Sequence, residues 1–274
     1  MLPADGADAA ALLGLAEVAG LIDRSDGEPA APYLTLRVGE TASYDVAYDD
    51  PENDPSKESH WRYTYSDPSG AHAGWTREYT TPLTTFPQAG RYLLEHWQVD
   101  STGNAAYDLE SNVLRLLIYV TEGDSPVIPK GLTAGVHHTA EWEQNRLRWN
   151  ERYPSEARAP NVFWAGEQLV CVAAVEGDVR TVTAQLKRAN GTAVLPASAS
   201  SGALSPTGGT DPNGVPLYRC VLWDESWIDA FGREGPEPFV VTFTSTFADG
   251  AVLTEDVPVV FDSRIGFFRV HRLW

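Results

Sequence analysis

Thr84-Thr85-Phe86-Pro87-Gln88-Ala89-Gly90-Arg91-Tyr92-Leu93-Leu94-Glu95-His96-Trp97-Gln98-Val99-Asp100-Ser101-Thr102-Gly103-Asn104 is the stretch that decides the fold. It opens on a Pro/Gly turn and runs into a long segment of strand-forming residues. Gly90 supplies the turn backbone, and Tyr92, Leu94 and His96 alternate with Leu93, Glu95 and Trp97 across a sheet. About thirty residues upstream stands Asp49-Asp50-Pro51-Glu52-Asn53-Asp54-Pro55, an acidic loop closing an earlier strand.

Outward from this pair, the same punctuation continues. Alternation begins at Tyr33, with Leu34, Leu36 and Val38 on one face and Thr35 and Arg37 on the other. Further strands are expected at 42–48, 60–65, 75–79, 84–86, 90–100 and 113–120, and Asp67-Pro68-Ser69-Gly70 reads as a β-turn. About seven short strands separated by turns fit a sandwich.

The two quoted segments resemble the polycystic-kidney-disease (PKD) type of immunoglobulin-like domain. Phe86, Pro87, Gly90, Tyr92, Trp97, Val99, Asp100, Gly103 and Asn104 fall at that family's positions. The resemblance covers residues 33–121 and implies a β-sandwich in an extracellular or cell-surface protein. It implies no reaction. A longer segment, 67–81, departs from the family pattern.

The remaining chain reads as linker, helix and a second sandwich. Residues 1–32 are rich in Ala, Asp and Gly and suggest a weak helix over 7–21 and then a linker; their start, Met1-Leu2-Pro3-Ala4-Asp5, has neither the basic n-region nor the h-region of a secretory leader. Residues 122–158 read as a linker plus a helix at 139–152. Thr139 is its N-cap, Glu141 and Glu143 lie early, Arg146, Arg148 and Arg152 lie late, and Trp142, Trp149 and Tyr153 form one stripe. Residues 159–274 read as an immunoglobulin- or fibronectin-like sandwich of the kind found in bacterial surface proteins. Its strands are expected at 168–175, 179–187, 217–223, 239–247, 252–260 and 267–273, with Asn190-Gly191 and Asp249-Gly250 as turns, a mobile loop over 197–214 and a helical turn over 224–231. The fold class is therefore all-β: two immunoglobulin-like β-sandwich domains joined by a linker and a short α-helix. No sequence repeat relates the halves.

Composition agrees. The 274 residues are 43% hydrophobic, with 19 Pro, 23 Gly, 9 Trp, 11 Tyr, 9 Phe and a single Met. Short strands rich in Val, Thr, Tyr and Trp give this profile. A net charge of −18 argues against nucleic acid and anionic membranes as partners. No apolar run is long enough for membrane insertion.

Candidate sites follow from chemistry. Asp50, Glu52 and Asp54, with Asp100 approaching from the later hairpin, concentrate the hard oxygens that Ca²⁺ prefers, although the spacing is not that of the Asp-x-Asp-x-Asp-Gly calcium loop. Asp and Asn also serve simply as turn formers. No other cofactor is expected. Cys171 and Cys220 lie mid-strand in the second domain and suggest a cross-sheet disulfide, with two buried thiols as the alternative. Trp61, Trp75, Trp223 and Trp227 lie near loops or strand ends and are the candidate ligand-binding aromatics. The scattered histidines, including His137-His138, lack zinc-site spacing. There is no Gly-x-Ser-x-Gly, His-Glu-x-x-His or phosphate-cradling glycine loop, so the chain reads as no enzyme.

The function these readings favour is a non-catalytic extracellular surface or matrix module mediating protein interaction, adhesion or assembly. Its partner is another copy, another surface component or a glycan. The alternatives are a carbohydrate-binding accessory module of a polysaccharide-degrading enzyme, and a hydrolase.

Overall fold

The computed structural model describes residues 17–21, 33–43, 45–49, 55–101, 103, 108, 110–123, 128–164, 167–191, 201–222 and 236–262. The chain divides into two compact units, Met1–Val127 with Pro212–Gly214, and Ile128–Asp211 with Val215–Trp274. Both are built of β-strands, and one α-helix stands among the described residues.

The first unit contains β1 (Glu17–Leu21), β2 (Tyr33–Arg37), β3 (Asp45–Asp49), β4 (Ser56–Ser66), β5 (Trp75–Tyr79), β6 (Gly90–Asp100) and β7 (Leu114–Thr121). One sheet has the order β2-β7-β6-β4-β5, and β1 pairs with β3 in another. The helix expected over 7–21 is corrected at its end: Glu17–Leu21 pairs residue by residue with β3 as an antiparallel strand. A β-partner satisfies those backbone groups where local propensity was weak.

The alternation read from the sequence sets the core. Trp61, Tyr63 and Tyr65 of β4 lie opposite His96, Leu94 and Tyr92 of β6, and Ile118 and Val120 of β7 continue the same buried face. The hydroxyls of this aromatic core all find partners: Tyr65 donates to the Ala89 carbonyl, Tyr92 donates to the Gln88 carbonyl, and Tyr63 accepts from the Leu83 amide. Burial, with Tyr65 nearby, pushes the Tyr92 hydroxyl up to about 12. The expected turn at Asp67–Gly70 is closed by the Gly70 amide on the Asp67 carbonyl, 3.0 Å, while the Asp67 carboxylate accepts from the Ser69 and His72 amides.

The second unit contains β8 (Gly131–His137), α1 (Ala140–Arg152), a 3-10 turn (Pro154–Glu156), β9 (Val162–Trp164), β10 (Leu169–Glu176), β11 (Val179–Arg188), β12 (Ser201–Ala203), β13 (Ser205–Thr210), β14 (Pro216–Leu222), β15 (Pro236–Phe247) and β16 (Val252–Asp262). Two sheets, β13-β14-β10-β8 and β12-β11-β15-β16-β9, enclose Phe163, Leu169, Val175, Leu186, Phe243, Phe247 and Phe261. Two expectations are corrected. Gly131–His137, read as linker, is a strand paired along β10. Part of the Ser/Gly/Pro-rich segment read as a mobile loop forms β12 and β13, whose ladder partners are β11 and β14. The expected helical turn at 224–231 and strand at 267–273 lie outside the described residues.

The strand orders show what the sequence concealed. Lettered along the chain, the second unit is A, A′, B, C, C′, D, E, F, G, with sheets D-E-B-A and C′-C-F-G-A′. That is the immunoglobulin arrangement. The first unit repeats it: C′-C-F-G-A′ is β5-β4-β6-β7-β2, and A pairs with B as β1 with β3. In both units A′ runs parallel to G, β2 along β7 and β9 along β16. Tyr92, at the start of strand F with its hydroxyl on a carbonyl four residues back, forms the tyrosine corner of such domains. The repeat is topological, with no matching sequence to reveal it.

Two predictions test this core. Gly90 has φ +149°, and a Cβ there would stand 2.5 Å from Tyr65 Cε2 and 2.8 Å from the Ser66 carbonyl oxygen. Gly90→Val should therefore cost about 2 kcal/mol or more in urea unfolding. Gly39→Ala, at φ +78° with open space around it, should cost about 1 kcal/mol. Equal losses would show that close approach to Tyr65 is not what requires glycine.

His96 is fully buried, stacks on Trp61 with ring centroids 3.9 Å apart, and donates from Nδ1 to the His60 carbonyl at 2.9 Å. Burial lowers its pKa below 6.5, partly offset by that carbonyl. The unfolded chain then takes up the proton first. Stability is full above pH 6.5 and falls as the pH drops below it. His96→Asn should flatten that fall in melting temperature, and an unchanged profile would assign it to other groups.

Candidate binding groove at the A to A′ crossover

In the second unit the chain must leave one sheet at the end of β8 and enter the other at β9. It makes this crossing through α1 and the 3-10 turn. Thr139 caps the helix as the sequence requires, its hydroxyl accepting from the Trp142 amide and its carbonyl from the Glu143 amide. Tyr153 ends it, its amide donating to the Trp149 carbonyl. Trp142, Asn145, Arg146 and Trp149 occupy one face, and Trp142 and Trp149 gather with Trp164 of β9 into an aromatic cluster. Trp149 meets Trp164 edge to face at 5.3 Å and donates from Nε1 to the Glu156 carbonyl.

Beneath these rings lies a cluster of ionisable groups. Glu167 is completely buried, and His138, Arg146 and Arg158 are all more than nine-tenths buried. Arg158 Nη1 donates to Glu167 Oε1 at 2.6 Å, and its guanidinium lies over Trp164, 3.7 Å from the ring centroid. His138 Nδ1 stands 3.0 Å from Glu167 Oε2, outside hydrogen-bond geometry, with its ring stacked on Phe163 at 4.1 Å. Burial lowers the Arg158 pKa, opposed by Glu167. Arg146 is held by both oxygens of Glu143, at 2.8 and 2.5 Å, and donates to the Arg158 carbonyl at 2.9 Å. Asn150 grips the same residue, accepting from its amide at 2.7 Å and donating to its carbonyl at 3.0 Å.

This scaffold shapes a groove of about 660 Å³, lined among others by Trp149, Glu156, Arg158, Val162, Trp164 and Asp262. That volume lies within the range of roughly 300–1,000 Å³ usual for ligand sites. The walls are aromatic and aliphatic, and two carboxylate residues, Glu156 and Asp262, stand among them. Sequence reading placed Trp142 and Trp149 on one stripe of the helix. It missed His138, Arg146, Asn150, Arg158 and Glu167. The available signal was Asn145-Arg146 on the same helical face as Trp142 and Trp149, polar residues where the periodicity demanded apolar ones.

The residues singled out from sequence fare differently. Trp61 is corrected as a ligand-binding aromatic: it is 7% exposed and packed against His96. Trp75 is half-buried on edge strand β5, stacked on Tyr65 with the Arg77 guanidinium over its ring. Trp97 is likewise engaged, by His60 at 4.9 Å and by Arg62. Trp223 and Trp227 lie outside the described residues, as do Asp50, Glu52 and Asp54. Asp100 is buried at the end of β6. Among the described residues no group of three or more His, Cys, Asp or Glu converges to hold a metal ion. No helix among them is long and apolar enough to cross a membrane. Cys171 and Cys220 are free thiols, and the cross-sheet pairing is corrected: they stand directly opposite each other on β10 and β14, neighbours within one sheet.

No protein-family model matches the chain, and no curated protein matches it in sequence. Among solved structures, a marsupial T cell receptor is 11% identical over 88% of this chain and 99% of that chain, with a TM-score of 0.23.

The buried cluster yields a stability prediction. Glu167→Ala leaves Arg158 and His138 buried without their carboxylate and should cost about 3–5 kcal/mol in urea unfolding followed by tryptophan fluorescence. The double replacement Glu167→Leu with Arg158→Met should cost much less, because it removes both charges together. A double variant as unstable as Glu167→Ala would show that the loss is not one of charge pairing.

Proposed function

We propose that this chain is a non-catalytic module of the cell surface or extracellular matrix that binds other proteins through the A to A′ crossover groove of its second unit. The observation that carries this reading is the crossover itself. It lengthens an ordinary connection of the fold into an aromatic-walled groove, stiffened by a buried ion cluster. Binding functions concentrate on such connections because a rigid sandwich holds them in place. The occupant that fits is an extended peptide segment carrying aliphatic or aromatic side chains together with Lys or Arg. Trp149 and Val162 offer the apolar surface, and Glu156 supplies complementary charge on a chain whose net charge is −18. The PKD-like sequence pattern of the first unit supports the extracellular setting.

Carbohydrate binding is the weaker reading. It needs free aromatic faces, and among the described residues Trp61, Trp75 and Trp97 already stack on neighbouring side chains.

A displayed random-peptide library panned on the full chain and on Trp149→Ala tests the proposal. Enrichment of apolar-basic sequences on the wild type, lost on Trp149→Ala, is the expected result. Equal enrichment on both proteins, or hits on a glycan array with no peptide enrichment, would overturn it.

A further inference from the structure

Cys171 and Cys220 oppose each other in the middle of a continuous antiparallel ladder that runs from Leu169↔Leu222 to Ala174↔Leu217. Both side chains face the interior of the second unit, yet they are not alike. Cys171 is completely buried, whereas Cys220 is half-buried. Across the sandwich, Gly202 of β12 has no side chain to cover Cys220. A Cβ there would stand 3.4 Å from its sulfur.

We propose that Cys171 and Cys220 form a reversible dithiol–disulfide couple, oxidised by low-molecular-weight disulfides of the glutathione class and reduced by the corresponding thiols. The geometry permits the bond and disfavours its permanence. Directly opposed residues of an antiparallel pair have Cα atoms about 4.5 or 5.5 Å apart, inside the span of roughly 4.4–6.8 Å that disulfides allow. Their Cβ atoms normally stand about 4.5–5.5 Å apart, whereas a disulfide draws them to about 3.5–4.5 Å. The bond therefore pulls β10 and β14 together against the spacing set by their ladder. Strained bonds of this kind are the more readily reduced. A bridge between the two sheets, as first expected from the sequence, would carry no such conflict.

The two sulfurs have separate roles. Cys220 is the attacking thiol: it is the more exposed, and a hydrogen bond from Cys171 together with the charge of Arg219 lowers its pKa. Cys171 is the resolving thiol, its pKa raised by that same hydrogen bond and by burial. The Cys220 thiolate attacks one sulfur of the external disulfide, forming a mixed disulfide and expelling one small thiolate. Cys171 then gives up its proton to solvent and attacks Cys220 Sγ, expelling the second. The dithiol loses two electrons and two protons, and the external disulfide becomes two thiols. The couple is independent of the groove and stands or falls separately from it.

The test exposes folded wild-type chain to glutathione disulfide, quenches with acid, and reads intact mass and peptide maps. The expected product lacks two hydrogens, carries the Cys171–Cys220 linkage, and returns to the dithiol on adding dithiothreitol without denaturant. Glutathione trapped at early times should sit on Cys220. Cys171→Ala should stop at the mixed disulfide, and Cys220→Ala should stay unmodified while folded by circular dichroism. Two free thiols persisting in the folded wild type, while the urea-unfolded chain oxidises, would overturn the proposal. So would a bridge that dithiothreitol cannot open until the protein unfolds. The wild-type measurements decide the matter even where a variant fails to fold.

Discussion

A carboxylate with no access to water sets the path of the second unit. Glu167 stands at the approach to β10, Arg158 comes from the crossover before β9, and His138 follows the end of β8. One side chain thus ties both ends of the crossover from β8 to β9 to the connection that returns from β9 to β10. An ionised group in such a place is costly unless it is paired, and a buried ion pair seldom adds net stability over apolar packing. Its contribution here is placement. Arg158 has to reach Glu167, and its backbone is the edge that Arg146 and Asn150 of the helix grip. The helix orientation, the seating of Trp149 on Trp164 and the groove all follow from that position.

The two units solve the same topological problem with different chemistry. Each sends strand A to B in one sheet and A′ alongside G in the other. At the centre of the first unit, Trp61 of strand C packs on His96 of strand F, and tyrosines fill the surrounding space. The polar ends of those tyrosines reach the backbone of the neighbouring turns, so polar groups are satisfied without loosening the core. The second unit instead fills its centre with phenylalanines of strands F, G and A′ and with small residues of strand B. In neither unit do the described residues join the two sheets covalently, so cohesion rests on apolar burial.

How far the fold was legible depended on whether local and tertiary signals agreed. Gly90–Asp100 could be read face by face, because a period-two pattern has one solution once one side is buried. Thr139–Arg152 could be read because cap, charge order and aromatic stripe coincide. Glu17–Leu21 and Gly131–His137 could not: both are edge segments whose strand character comes from a partner far along the chain. Ser201–Ala203 and Ser205–Thr210 failed for the same reason, since Ser, Gly and Pro favour turns unless a ladder is waiting. The site was less legible still. Glu167 and Arg158 are two charged residues among 58, and nothing local distinguishes a buried pair from a solvated one. The cysteines show the reverse error. Their mid-strand positions were correct, but membership of one sheet or two depends on strand order, which spacing along the chain does not encode.

The connection between A and A′ is longer in the second unit than in the first. Between A and A′ the first unit has residues 22–32, whereas the second has residues 138–161, containing a capped helix and the 3-10 turn. A sandwich requires only that the chain cross from one sheet to the other, so the extra length is not demanded by the core. An added helix could simply have been solvated. This connection instead buries Arg146, Arg158, His138 and Trp142, packs the half-buried Trp149 against Trp164, and leaves a groove at the C-terminal end of the helix. Fixing that many polar groups in apolar surroundings is costly, and the pairing of Arg158 with Glu167 and the grip of Arg146 and Asn150 on the Arg158 backbone offset that cost. The same contacts hold the walls of the groove, Trp149 and Arg158 among them, in place.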